Sequence, residues 1–207
     1  MTKRDRIPLF PLDVVLLPDM PLPLHIFEPR YKTMVRRCLG EPCRFGSVLA
    51  TKQTVAKVGC TAEIVQKVKQ YPDGRIDILT SGRSVFQLAE ILEEKEYYEG
   101  IVEYFAEDLS TQDPTQEARL LEMFGQCHVL LFGQAWSDTE RAESSTLGYR
   151  LAARLPIDLQ EKQALLEMRT ENKRREFLLD WLSRILPELA ARQRARERAG
   201  GNGHALD

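Results

Sequence analysis

Five prolines, Pro8, Pro11, Pro18, Pro21 and Pro23, punctuate an otherwise apolar segment near the start of this chain. Proline fixes φ and carries no amide hydrogen, so such a segment cannot form a helix interior or a central strand. What remains is a set of short extended pieces at sheet edges or bulges, with Ile7, Leu9, Val14, Val15, Leu16 and Leu17 as their apolar residues. The same prolines, with Asp13 and Asp19, interrupt every candidate apolar run. The charged-then-apolar opening therefore does not read as a signal peptide, and no run reaches the roughly 20 apolar residues of a membrane span. The cytoplasm is the expected compartment.

From Pro29 the period changes. Tyr31, Met34, Val35, Cys38 and Leu39 recur at helical spacing, Pro29 suits a first turn, and Gly40 suits a stop, which predicts one helix here. Alternating segments follow at 45–49, at 60–68, from Ile76, at 85–91 and at 101–105. Tyr71-Pro72-Asp73-Gly74-Arg75 predicts a hairpin turn, because Pro presets φ and Gly accepts a positive φ. Ser81-Gly82 is expected to break the chain between two strands. The polar run Asp108 to Pro114 is a connector, beyond which the pattern is helical. Leu120, Leu121, Phe124, Cys127, Val129 and Leu131 form one expected buried stripe, and Asp158 with Glu161 resembles a capping box. Thr170 is placed to cap a last long helix that Pro187 should kink or restart. These signals divide the chain into a β-rich domain over 1–107, a helical bundle over 115–192 and a flexible tail over 193–207. The fold class is α+β: a small β pseudo-barrel with one inserted helix, then helices.

Chemistry-bearing motifs are sparse. There is no phosphate-cradling P-loop, no H-E-x-x-H and no G-x-S-x-G. Cys127 and His128 are adjacent on a predicted helix, where neighbours point about 100° apart, so they make a poor nucleophile–base pair. Cys38 and Cys43 lack the further ligands of a structural zinc site. A non-catalytic protein without metal or cofactor is expected. A formal net charge of −2 argues against a chain whose main work is coating nucleic acid.

The segment IPLFPLDVVLLPDMPLPLHIFEPRYKTMV, residues 7 to 35, resembles the opening of the Lon protease N-terminal domain family, the LON substrate-binding domain with a PUA-like β fold. The likeness continues through Phe45-Gly46, Val58-Gly59-Cys60, Asp73-Gly74-Arg75 and Leu155-Pro156-Ile157-Asp158, so it spans about residues 7 to 186. Family members tend to carry Gly where Asp19 stands. The resemblance implies a stand-alone relative, without the ATPase and protease modules, that engages unfolded or damaged polypeptide or a protein partner. A small-molecule or RNA-binding PUA-like module is the alternative, since a fold does not determine function.

Six residues are candidates for partner contact: His25, Phe27, Glu28, Arg30 and Tyr31 of the HIFEPRY segment, and Trp136 in a polar loop. The structural reading stands beside this one: Phe27 and Tyr31 bury in the core, Glu28 and Arg30 orient a strand-to-helix junction, and Trp136 lies over the helical core.

Overall fold

A computed structural model of the chain describes residues 4–40, 43–106, 113–136 and 146–201. Two compact units emerge: Met1–Asp108 with Tyr149–Arg169, and Leu109–Gly148 with Thr170–Asp207.

The first unit is built on six strands: β1 (Arg4–Leu12), β2 (Pro21–Ile26), β3 (Phe45–Ala50), β4 (Val55–Gln70), β5 (Ile76–Leu92) and β6 (Glu99–Tyr104). Their order is β2-β5-β4-β3-β1-β6, and a further β5–β6 pairing bends the sheet into a partial ring. The length of β5 makes this possible. Its first part, Ile76–Ser81, pairs with β2, and its second part, Phe86–Leu92, pairs with β6. Register shifts in β4 and β5 supply the curvature, as bulges do when a strand must turn a corner. Ile7, Leu9, Val48, Phe86 and Val102 fill the interior.

The prolines sit where their chemistry allows. Pro21 and Pro23 lie two apart on β2, at one end of the strand order, so they share the ladder phase that needs no amide donation to β5. The expected break at Ser81-Gly82 does not occur, because β5 runs straight through it. Gly82 instead admits the 17–20 loop: a Cβ there would lie 2.0 Å from the Leu17 carbonyl oxygen, and Gly82 N donates to Met20 O. The turn at 71–75 forms as its residues predict, with Gly74 at φ +83°.

The inserted helix, α1 (Pro29–Gly40), has the expected bounds and buries Tyr31, Met34, Val35 and Cys38. Leu39, assigned to the same face, is exposed instead. It stands next to the last residue of the helix.

The second unit pairs α2 (Pro114–Phe132) with α5 (Glu171–Gly201). Asp113 caps α2, accepting from Thr115 N at 2.8 Å, and Pro114 occupies the first turn. Leu120, Phe124 and Cys127 are buried, but Val129, expected in that stripe, is exposed. It departs from the 120, 124, 127 spacing and so falls off the covered face. Buried Leu178, Trp181 and Leu182 line α5. Helix α5 is one element across Pro187 and continues through 201, into the segment assigned to a tail; residues 202–207 lie outside the described ones. Within this unit Glu171 is fully buried, taking hydrogen bonds from Gly148 N at 2.7 Å, Arg174 Nε at 2.9 Å and Arg175 Nε at 3.1 Å. Burial pushes the Glu171 carboxyl upward, an effect opposed by Arg174 and Arg175.

The helix α3 (Leu147–Ala152) carries the chain across the division between units. Beyond it, α4 (Leu159–Glu167) opens on Asp158, which accepts from Glu161 N at 2.8 Å. The stretch 149–169 groups with the strands, whereas the sequence division places it in the helical half. Gln163 Nε2 donates to Val58 O, and the Arg169 guanidinium lies 3.3 Å from the centre of the Phe105 ring. Helical periodicity reports that a face is buried, not which element covers it.

Candidate functional site

Five of the six candidate residues converge where β2 ends and α1 begins. The strand β2 ends at Ile26 and the helix starts at Pro29, with two residues between them, so the residues on either side of this junction are forced into one neighbourhood. A groove of about 410 Å³ opens there, lined by His25, Phe27, Glu28, Arg30 and Tyr31 together with Phe10, Leu24 and Tyr98.

The side chains divide between floor and rim. Tyr31 is buried and packs on Phe10, with ring centroids 4.1 Å apart. Burial raises the Tyr31 phenol, so it stays protonated. Arg30 lies over the Tyr31 ring at 4.5 Å and pairs with Glu28 at 2.9 Å, which orients both side chains at the helix start. Phe27, by contrast, is 59% exposed. Its ring faces that of His25 at 6.1 Å, in a stacked arrangement. So Tyr31 is core and Phe27 is not, which separates two residues that the sequence treats alike.

His25 is fixed by partners that sequence reasoning missed. In the β2–β5 ladder it stands directly opposite Asp77, and its Nδ1–H donates to Asp77 Oδ1 at 2.5 Å. Tyr71 OH donates to the other oxygen, Oδ2, at 2.8 Å. The hydrogen bond from His25, followed by that from Tyr71, holds the Asp77 carboxyl below its usual range. The same bond to Asp77 pushes the Tyr71 phenol up. Lys69 and Arg75 flank the Tyr71 ring at 4.5 and 4.9 Å. A signal for Asp77 was present: it sits between Ile76 and Ile78 in an alternating strand, so it must face away from the core. Its pairing with a residue 52 positions away was not readable without the register.

Trp136, the sixth candidate, belongs to the other unit and packs edge-on against Phe124, with centroids 5.1 Å apart. Cys38 and His25 have separate partners, Cys43 for Cys38 and Asp77 for His25. Among the described residues no group of three or more His, Cys, Asp or Glu is placed to hold a metal ion, and no helix is long and apolar enough to cross a membrane. The groove presents an apolar ring beside an imidazole–carboxylate pair and a guanidinium.

Comparison with known proteins agrees with this architecture. The chain is 27% identical over 213 residues to Lon protease 2 of Syntrophobacter fumaroxidans, covering 94% of this chain and 26% of that protein. It is 26% identical over 222 residues to the Lon protease of Escherichia coli strain K12, covering 95% of this chain and 27% of that one. The chain thus spans about a quarter of the length of these curated relatives. Among solved structures, a Lon N-terminal domain protein from Xanthomonas campestris superposes with a TM-score of 0.69 at 26% identity, covering 86% of this chain and 98% of that one. The N-terminal domain of Lon protease from the Mycobacterium avium complex shares the fold, with a TM-score of 0.65 at 18% identity over 86% of this chain and 98% of that one. The family described as the ATP-dependent protease La (LON) substrate-binding domain matches residues 6–184, and the chain belongs to that family.

Proposed function

We propose that this chain is a non-catalytic recognition module of the cytoplasm that binds unfolded or damaged polypeptide through the groove at the β2–α1 junction. The observation that carries the reading is Phe27, a large apolar ring 59% exposed at the rim of a groove, in a chain of a substrate-binding family. An exposed ring of this kind costs solubility unless a partner covers it, and unfolded chains offer the apolar side chains that would.

The mode of contact follows from the strand next to it. An extended peptide could in principle add to the outer edge of β2, but Pro21 and Pro23 remove donors from that edge. Recognition would then run through side chains: apolar contact with Phe27 and Leu24, and polar contact with Arg30, Glu28 and the His25–Asp77 pair. Such contacts tolerate many sequences, as a receptor for damaged proteins must.

Fluorescence anisotropy tests this with three labelled probes: a permanently unfolded polypeptide, the same sequence folded, and a single-stranded RNA. Saturable binding of the unfolded chain alone, weakened by F27A, is the expected result. Binding of RNA alone, falling steeply with salt, would overturn it in favour of a nucleic-acid module.

A further inference from the structure

We propose that Cys38 and Cys43 form a redox-active dithiol, a modification site that accepts low-molecular-weight disulfides by thiol–disulfide exchange. Cys38 lies in the last turn of α1 and Cys43 just before β3. Their sulfurs are 2.8 Å apart, with Cys38 Sγ donating to Cys43 Sγ. A disulfide bond is about 2.05 Å long, so closing it requires a shift of under about 1 Å. Both residues line a cavity of about 570 Å³ beside Arg44, Glu63, Ser84 and Tyr104, which gives a small reagent a route to them.

The remaining two cysteines show what an inert thiol looks like in this molecule. Cys60 and Cys127 are each fully buried, and burial pushes their thiols up to about 12 and about 11. A thiol held that high supplies almost no thiolate at neutral pH, and the thiolate is the nucleophile. Cys43 differs in its burial and its neighbour. It is only half-buried, and the Arg37 guanidinium interacts electrostatically with it. Cys43 is therefore the attacking sulfur and Cys38, 8% exposed, the resolving one.

The steps balance with glutathione disulfide as oxidant. The Cys43 thiolate, having released its proton to solvent, attacks one glutathione sulfur; a Cys43–glutathione disulfide forms and a glutathione thiolate leaves. The Cys38 thiolate then attacks Cys43 Sγ, forming the Cys38–Cys43 disulfide and expelling the second glutathione thiolate. Two protein thiols lose two electrons in all. Glutathione disulfide gains them and, with two protons, becomes two glutathione molecules. Reductant reverses the sequence. This chemistry is independent of polypeptide binding in the β2–α1 groove.

The experiment is incubation of the native chain with glutathione disulfide, followed by alkylation, intact mass measurement and peptide mapping. The expected product is lighter by two hydrogen atoms, carries a Cys38–Cys43 disulfide, and regains both thiols with dithiothreitol. Cys60 and Cys127 should react at least about tenfold more slowly. In C38S the expected product is a stable single glutathione adduct on Cys43. Because the buried Cys38 position bears on folding, the wild-type map decides by itself. Four alkylatable thiols after treatment, a persistent glutathione adduct on wild-type Cys43, or loss confined to Cys60 or Cys127 would each overturn the proposal.

Discussion

Each of the two units contains a cluster of charged and polar groups around one carboxylate, and the two clusters serve opposite ends. In the helical unit Glu171 is wholly enclosed, and Arg174 and Arg175 beside it are at most 4% exposed. In the strand unit Asp77 sits at a half-open surface between His25 and Tyr71, next to an exposed Phe27. The first arrangement leaves no atom for a ligand to meet. The second orients an imidazole at the rim of a groove. Burial, not the number of charges, separates a structural ion cluster from a candidate site, because enclosed charges must spend their hydrogen bonds on one another.

Removing the enclosed carboxylate is the severest way to probe this contrast. E171A takes a buried carboxylate from two buried guanidiniums, of which Arg175 keeps Glu117 at 3.0 Å, and should cost about 3–5 kcal/mol in urea denaturation. A loss under about 1 kcal/mol would mean that the cluster is hydrated and that the contrast fails. F27A should do the reverse: affinity for an unfolded polypeptide falls about tenfold or more, while stability stays within about 0.5 kcal/mol of wild type. A large stability loss with unchanged affinity would return Phe27 to a packing role.

Trp136 sharpens the same line from the helical side. Its ring packs edge-on against Phe124, so W136A should lower stability by about 1 kcal/mol and leave polypeptide affinity unchanged. Loss of affinity in W136A would place a contact surface on the second unit as well.

The smallest effect concerns pH. Asp77 is held below the ordinary carboxylate range, chiefly by the hydrogen bond from His25. A depressed carboxylate contributes stability that is complete above its unfolded-state value of about 3.9 and is lost as pH falls through the lower folded value. Melting temperatures of wild type and D77N should therefore differ at neutral pH and converge below about pH 4. A constant difference across that range would show that the ring–carboxylate bond does not contribute.

Much of this was legible in the residues. The helix over Pro29–Gly40 came from apolar spacing and its two end signals, and the hairpin turn from Pro72 and Gly74. Asp19, where relatives tend to have Gly, adopts φ +61°, which only the structure revealed. Aspartate enters that region at lower cost than most residues, which is how the loop forms without glycine. Less legible was Gly82, read as a break, because a missing side chain signals close approach and chain interruption equally well.

The sequence by itself determined the inserted helix, the hairpin turn, the passage from strands to helices and the family, since these depend on local backbone chemistry and on the spacing of apolar residues. It also placed five of the six candidates within seven consecutive positions, at a junction that had to be a surface turn or a packed corner. Only the tertiary structure decided which of them faces solvent. Tyr31 is covered by Phe10 from β1, whereas no comparable burial reaches Phe27. Only strand register brought Asp77 to His25. The physical reason is common to both: each depends on which distant segment supplies the neighbouring surface, and periodicity along one chain segment carries no information about that.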